Sequence, residues 1–176
     1  MMKKVLIVVD MQKDFIDGAL GTKEALAIVE KAAAEIRRFE GKIFVTMDTH
    51  RSDYLKTAEG KKLPVPHCIE GTDGWFLHER IMTSLSGKEY TEIKKGTFGS
   101  VHLAEEIRGI CNPKEMEIEC FGLCTDICVV SNVLLLKAHF PEAKITVRAD
   151  CCAGVTPETH EAALKTMEMC QIDIVG

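Results

Sequence analysis

The sequence predicts an α/β protein of three layers, in which helices cover both faces of a doubly wound, six-stranded and mostly parallel sheet. Short apolar runs alternate with stretches of helical periodicity along the chain. The first run, residues 5–9, is continuously apolar, as expected of a strand buried on both faces of a parallel sheet. Residues with catalytic or metal-binding side chains come immediately after several predicted strands. They lie at the edge where such sheets bind ligands.

The individual elements follow from apolar spacing and from capping residues. The predicted strands are residues 5–9, 43–47, 90–94, 117–121, 144–148 and 172–175. The predicted helices are residues 24–39, 75–84, 100–109, 126–139 and one that opens at residue 156. Ser100 and Thr156 are suited to N-caps, and Pro157 to a first helical position. The long irregular connection, residues 48–74, is of a kind that is usually functional or mobile.

Composition limits the class of protein. The 176 residues, 46% of them hydrophobic, suit one domain over residues 1–176 with a full core. The formal net charge of −5 lacks the basic excess of a nucleic-acid binder. The apolar stretch before Asp10 is too short for a signal peptide or a membrane span. We therefore expect a cytoplasmic protein that has neither nucleic acid nor membrane as a partner.

The chain has eight cysteines but no export signal. We therefore expect free thiols rather than a disulfide framework. No C-x-x-C pair occurs, which argues against a zinc ribbon and against a thioredoxin-type centre. The cysteines around Gly122 recur every four residues, but this glycine separates a strand from a loop, so they are not expected to share a helix. A metal site made of cysteines alone is therefore not expected. Packing roles are expected for Cys111, Cys120, Cys151, Cys152 and Cys170.

Cys128 is the candidate nucleophile. Residues 122–129 join an apolar strand to an apolar helix and place this thiol in the first helical turn, where free N–H groups and the helix dipole stabilise a thiolate and an oxyanion. Asp10 ends the first strand and Lys95 follows the third. An acid, a base and a thiol at the same sheet edge suggest covalent catalysis by cysteine. Composition alone would favour a cysteine that merely packs as a small hydrophobe.

The residues Asp48, His50 and His67 are of metal-ligand type. Two imidazoles and one carboxylate suit zinc, iron or manganese. The alternative is a hydrogen-bonded pair of loop histidines. His78 lies outside this pattern and is expected to be a surface histidine.

Four motifs carry a resemblance to a known family. They are VDMQKDF at residues 9–15, D-x-H at 48–50 followed by PHCI-x-GT-x-G at 66–74, KGTF at 95–98, and G-x-x-TD-x-CV at 122–129. With these motifs the chain resembles the isochorismatase-like cysteine hydrolases, which have a Rossmann-like sheet, and among them the nicotinamidase/pyrazinamidase branch. The resemblance spans almost the whole chain.

The resemblance implies a catalytic triad of Asp10, Lys95 and Cys128 that cleaves an amide through a thioester. Asp10 would accept the thiol proton, and Lys95 would hold the pair. Lys94 competes for this role, but Lys95 is the residue that precedes Gly-Thr-Phe. The family also implies an oxyanion hole made by the backbone N–H groups of Cys124 and Cys128, with a non-proline cis peptide just before Cys124.

The resemblance further implies a divalent metal ion, zinc first and iron or manganese as alternatives, that contacts the substrate ring nitrogen. Its ligands would be Asp48, His50 and His67, with Glu59 as the fourth. The residues that match the family's ring-enclosing positions are Phe15, Leu20 and Phe98. The aromatic residue that often precedes the metal histidine is absent, and residues 63–66 stand in its place.

The function predicted first is hydrolysis of nicotinamide to nicotinate and ammonia by a homo-oligomeric enzyme. One alternative is a related cysteine hydrolase that acts on a carbamoyl or ureido compound. Another is a thiol redox or sensor protein in which Cys124 resolves Cys128. A non-catalytic regulatory subunit would be expected to lose a member of the triad, and this chain keeps all three.

Overall fold

Six parallel strands form the central sheet in the order β3-β2-β1-β4-β5-β6. The computed structural model describes residues 2–110 and 112–176, so the packing role predicted for Cys111 lies outside the described residues. The strands are β1 (Lys3–Val9), β2 (Lys42–Asp48), β3 (Tyr90–Lys95), β4 (Met116–Leu123), β5 (Lys144–Ala153) and β6 (Asp173–Val175). The predicted fold class is confirmed, and every strand pairing in the described chain is parallel.

Helices cover both faces of the sheet. They are α1 (Lys13–Ile16), α2 (Lys23–Arg38), α3 (Ala58–Lys62), α4 (Glu79–Leu85), α5 (Val101–Arg108), α6 (Val130–His139) and α7 (Pro157–Met169), with 3₁₀ turns at Tyr54–Lys56, Asp73–Trp75 and Pro113–Glu115. Helices α2 and α4 pack against each other in one layer, while α6 contacts both α5 and α7 in the other. Among the described residues, no helix combines the length and hydrophobicity that crossing a bilayer requires.

The strand order explains where a site can form. From β1 the chain moves outward through β2 to β3, and from β4 it moves the opposite way through β5 to β6. The two halves meet where β1 pairs with β4, and a crevice opens at such a switch point beyond the carboxyl ends of the strands. Residues 5–9 of β1 are completely buried beneath this crevice, as their unbroken apolar run predicts.

Three boundaries differ from the sequence predictions by more than two residues. The predicted helix at 75–84 begins only at Glu79, because Leu77 is held in an extended bridge to Gln12. Strand β5 runs on to Ala153 beyond its charged residues, because its end pairs again with β4 after a register shift. The helix predicted at 126–139 is α-helical only from Val130, since the preceding residues wind as a π-helix.

The cysteines of the described chain are free thiols. Cys120, Cys151 and Cys152 are buried, in agreement with the packing roles expected of them. Cys170 is exposed, so the packing role predicted for it is wrong. It lies at the C-cap of α7.

Candidate active site and metal centre

Three ionisable side chains are buried together at the switch point. Asp10 follows β1, Lys95 ends β3, and Cys128 lies in the turn after β4. Lys95 Nζ is 2.6 Å from Asp10 Oδ2 and 3.4 Å from Cys128 Sγ. The ammonium therefore contacts both the carboxylate and the thiol, in the arrangement that a thiol with an adjacent base requires.

The backbone holds Asp10 in an unusual conformation. Its φ of +46° lies in the left-handed region, which aspartate tolerates better than most residues. Thr46 on the neighbouring strand fixes the side chain by donating its hydroxyl hydrogen to Asp10 Oδ1 at 2.7 Å. Gly122 has a φ of +134°, and a Cβ there would lie 2.1 Å from the Val9 carbonyl oxygen. Glycine is therefore required where β1 and β4 approach each other beside the site.

Burial sets the protonation states of this cluster. It raises the pKa of the Asp10 carboxyl, although Lys95 and the Thr46 hydroxyl oppose the rise. It also raises the pKa of the Cys128 thiol, and the Asp10 charge adds to the rise against the opposing Lys95 ammonium. Burial alone would lower the pKa of Lys95, but the charges around it, Asp10 first among them, raise it. Burial and the Asp10 charge therefore favour the neutral Cys128 thiol over its thiolate, and burial makes the Asp10 carboxylate a stronger base.

The turn that carries Cys128 is wider than an α-helical turn. Residues 125–129 form a π-helix, and the Cys124 carbonyl accepts hydrogen bonds from the N–H groups of Ile127 at 3.1 Å and Val129 at 3.0 Å. The Leu123–Cys124 peptide bond is cis, as the resemblance implies. Local π-helical turns of this kind occur often at functional sites.

Two contacts attach this π-helical turn to the start of α7. The buried hydroxyl of Thr125 lies 2.8 Å from His160 Nδ1. The Asp126 carboxylate accepts the Val155 N–H, at 3.2 Å for Oδ1 and 3.1 Å for Oδ2. Sequence reasoning did not find His160, since it lies far from every motif and no spacing relates it to the turn.

Asn132 forms a further support from within α6. Its side-chain amide donates to the Cys128 carbonyl at 2.8 Å and to the Phe98 carbonyl at 3.1 Å, while its Oδ1 accepts the Ser100 N–H at 2.9 Å. This one buried side chain thus connects the nucleophile turn with the loop after β3.

A second cluster lies beside the first. Asp48, His50 and His67 are buried, and their ligand atoms all lie within 4.8 Å of one another. Asp48 Oδ2 is 3.0 Å from His50 Nε2 and 3.5 Å from His67 Nε2. Glu59 of α3 approaches the same two nitrogens, at 3.7 Å from His50 and 3.6 Å from His67. Two imidazoles and two carboxylates thus converge, a donor set that suits a divalent ion.

The hydrogen bonding of His67 supports this fit. Its Nδ1 lies 2.8 Å from the Val65 carbonyl oxygen, which can only accept, so Nδ1 carries the hydrogen. Nε2 of His67 faces the carboxylate oxygens of Asp48 and Glu59. Burial would lower the pKa of His67, but the hydrogen bond and the charge of Asp48 raise it. A divalent cation can take the place of the Nε2 hydrogen between these groups, and a carbonyl bonded to the far nitrogen is the usual support of a metal-bound histidine.

Gln12 fixes the position of Asp48. Its amide nitrogen donates to the Asp48 carbonyl at 2.8 Å and to the Trp75 carbonyl at 2.8 Å, and its Oε1 accepts the Asp48 N–H at 2.8 Å. Burial would raise the pKa of the Asp48 carboxyl, but hydrogen bonds from His50 and His67, with the Lys95 charge, hold it well below its usual range. Asp48 is therefore ionised.

Both clusters open into one pocket of about 660 Å³. Cys128, Asp48, Glu59 and His67 line it. The three predicted ring-enclosing residues line it as well: Phe15, Leu20 and Phe98. Leu63, from the segment that stands in place of the absent aromatic residue, lines it too. Sequence reasoning missed Ile127 and Val155, which lie in the nucleophile turn and in an irregular connection, where no periodicity indicates direction.

Lys94, the competitor of Lys95, and His78 both lie outside the two clusters. Lys94 is exposed, pairs with Glu70 at 2.8 Å and sits over the ring of Trp75, so it does not reach the thiol. His78 is half-buried rather than on the surface, because its side chain caps α4 by accepting the Arg80 N–H at 3.3 Å. Neither joins the two clusters.

This fold and site define a class: α/β proteins with a cysteine-centred cluster at the switch point of a parallel sheet and a candidate metal centre beside it. Residues 4–175 match the family model of the isochorismatase domain, and the chain belongs to this family. The family resemblance given by the motifs is thereby confirmed.

Relatives and solved structures agree with this assignment. An isochorismatase family protein, PncA of Bacillus subtilis, is 27% identical over 180 residues, with 93% of each chain covered. The nicotinamidase/pyrazinamidase of Mycobacterium tuberculosis is 25% identical over 185 residues, with 98% of each covered. The crystal structure of a nicotinamidase/pyrazinamidase PncA from B. subtilis has a TM-score of 0.83 and 26% identity, covering 99% of this chain and 100% of that one.

A second solved structure bears on the metal centre. The pyrazinamidase of Pyrococcus horikoshii, solved in complex with zinc, has a TM-score of 0.81 and 26% identity, covering 98% of each chain. Together with the acidic and imidazole cluster of this chain, it supports a candidate metal site.

Proposed function

We propose that this protein is an amidohydrolase that forms a single cysteine hydrolase domain and cleaves a small primary amide, nicotinamide first, through a thioester on Cys128. The observation that carries the proposal is the buried contact of Lys95 with both Asp10 and Cys128, at the base of a pocket shared with Asp48 and His67. The names of the relatives supply the substrate class.

The first half of the reaction transfers an acyl group to sulfur. Asp10 takes the proton of the Cys128 thiol, and the thiolate attacks the amide carbon to form a C–S bond. The oxyanion is bound by the backbone N–H groups of Cys124 and Cys128 in the π-helical turn. Collapse of this intermediate breaks the C–N bond, and Asp10 returns its proton to the departing nitrogen, so that ammonia leaves.

The second half restores the enzyme. Asp10, again a carboxylate, takes a proton from water, and the hydroxide adds to the thioester carbon. Collapse breaks the C–S bond, the acid product leaves, and Cys128 recovers its proton from Asp10. Lys95 keeps its charge throughout and offsets the negative charge that passes between the carboxylate and the thiolate.

A divalent ion, with zinc as our first choice and iron or manganese as alternatives, would be held by Asp48, His50, His67 and Glu59. When bound, it supplies a Lewis-acid contact for a ring heteroatom of the substrate. Phe15, Leu20 and Phe98 would enclose the ring, since all three line the pocket. The cytoplasmic location and the homo-oligomeric state stay predictions.

The redox alternative is less well supported. Burial raises the pKa of the Cys124 thiol to about 12, so the thiol that would have to resolve an oxidised Cys128 is itself protonated. A carbamoyl or ureido substrate remains the second candidate, because the same thiol chemistry would act on it.

Ammonia release from nicotinamide tests the proposal. We expect release by the zinc-loaded protein, loss of release in Cys128→Ala, and loss after chelation that added zinc restores. Cys120→Ala is the matched control, since it removes a buried thiol remote from the pocket lining. Ammonia release that is equal in Cys128→Ala and in the unaltered protein would contradict the mechanism, and no release from nicotinamide would direct the search to ureido compounds.

A further inference from the structure

The pocket is larger than a single-ring amide fills. Its volume of about 660 Å³ falls in the middle of the range, roughly 300–1,000 Å³, that holds ligands of drug size. The polar groups that would hold the amide and the ion are the buried Cys128, Asp48 and His67. A ring bound by these groups leaves the remaining volume to be filled on the side away from them.

Exposed apolar side chains line the same pocket. Leu63, Phe98 and Val155 line the pocket and are 37%, 47% and 54% exposed. We call these three residues the rim. Leu63 is the C-cap of α3, Phe98 follows β3, and Val155 precedes α7, so three separate segments bring apolar groups to one opening. Exposed apolar groups that gather at one place mark a binding surface.

The rim is held in place by polar contacts of its backbone. The Leu63 carbonyl accepts the Tyr54 hydroxyl at 2.9 Å, and the Phe98 carbonyl accepts the Asn132 amide at 3.1 Å. The Val155 N–H donates to Asp126. Because the backbone is anchored at these three residues, the fold fixes the direction in which their apolar side chains extend. Such a preformed apolar surface binds a ligand at a lower entropic cost.

We infer that the substrate is an aromatic carboxamide that carries an apolar extension on the side of the ring away from the amide, and that Leu63 and Val155 of the rim bind this extension. The inference rests on the proposed amide hydrolysis and specifies its substrate. A propyl group at ring carbon 5 of nicotinamide is a suitable probe, because this carbon is meta to both the carboxamide and the ring nitrogen. Both polar contacts of the ring are then unchanged.

The test compares kcat/KM for 5-propylnicotinamide and nicotinamide on the zinc-loaded protein. We expect the propyl compound to be preferred by about tenfold or more, since added methylenes in an apolar pocket have effects of this size. The preference should fall several-fold in Leu63→Ala and in Val155→Ala. Leu55→Ala is the matched control and should keep the preference, because Leu55 belongs to the same connection, is 52% exposed and is absent from the pocket lining.

Failure of this inference is distinguishable from failure of the proposed function. If nicotinamide is cleaved and the propyl compound is cleaved no better, the inference is wrong and amide hydrolysis stands. If neither amide releases ammonia, the proposed function is wrong, and calorimetric binding of both amides to Cys128→Ala protein decides the inference. Tighter binding of the propyl compound would support the rim as an apolar subsite, and equal or weaker binding would overturn it.

Discussion

The carboxylate of Asp48 lies between Lys95 and the histidine cluster. Its Oδ1 is 3.8 Å from Lys95 Nζ, and its Oδ2 is 3.0 Å from His50 Nε2. The contact with Lys95 follows from strand register, since Asp48 and Lys95 are paired residues at the carboxyl ends of β2 and β3. The candidate metal centre and the thiol cluster therefore share one charged group.

Removal of the Asp48 charge is expected to weaken both clusters. In Asp48→Asn we expect zinc affinity to fall by at least about tenfold, which is the scale seen even for residues that only support a metal ligand. Ammonia release should fall with it. Zinc retained after dialysis against a weak chelator measures the first effect. Asp53→Asn, an exposed carboxylate in the same connection, is the control, and retention of full zinc affinity by Asp48→Asn would contradict the assignment.

The two adjacent lysines should behave differently. Lys95→Met leaves the buried Asp10 carboxylate unpaired, which typically destabilises a protein by about 3–5 kcal/mol. We expect a lower Tm and a loss of most of the kcat. Lys94→Met removes an exposed ion pair with Glu70, worth about 0–1 kcal/mol, and should change neither quantity appreciably. Thermal melts and steady-state rates check both variants, and an active, stable Lys95→Met protein would exclude the proposed role.

The pH profile should report the raised pKa of Asp10. The reaction needs Asp10 as the free carboxylate, and burial raises its pKa above the ordinary value of 3.8. The acid limb of kcat/KM should therefore lie above pH 3.8, with activity lost as the pH falls through it. Thr46→Val removes a hydrogen bond to the carboxylate, so it should move the limb to still higher pH. A limb that does not move, or that moves to lower pH, would contradict this assignment.

The contact between Thr125 and His160 should position the nucleophile turn. Thr125→Val removes the 2.8 Å contact while keeping the shape of the side chain, and we expect kcat to fall by about tenfold with little change in KM. His160→Asn should retain more activity than His160→Ala, because an asparagine amide reaches the place of Nδ1. His139→Ala is the control, since its Nδ1 bonds within α6, to the Leu135 carbonyl. Equal kcat in all these variants would show that the contact is dispensable.

The sequence predicted the sheet and the gathering of residues at its edge for simple physical reasons. The apolar run of β1 can be buried completely only as a strand covered on both faces of the sheet. Asp10, Asp48 and Lys95 come to one edge because they end neighbouring parallel strands. Which of two adjacent lysines turns inward is a question of strand alternation, and the structure places Lys95 inside and Lys94 outside.

Features that depend on contacts distant in sequence were not predictable. Because Leu77 is bridged to Gln12, α4 begins later in the chain than predicted. Because the end of β5 pairs with the end of β4, β5 continues past its charged residues. The rim residues Leu63 and Val155 lie in connections without periodicity, so only the folded chain shows which pocket they line.

Mass spectrometry of a rapidly quenched reaction tests the central claim most directly. Zinc-loaded protein mixed with nicotinamide, stopped in acid and digested, should yield the Cys128 peptide with the added mass of one nicotinoyl group. The same modification should be missing from Cys124 and from the Cys128→Ala protein. Continued turnover of nicotinamide with no acyl group on Cys128 at any quench time, together with full activity of Cys128→Ala, would contradict the thioester mechanism.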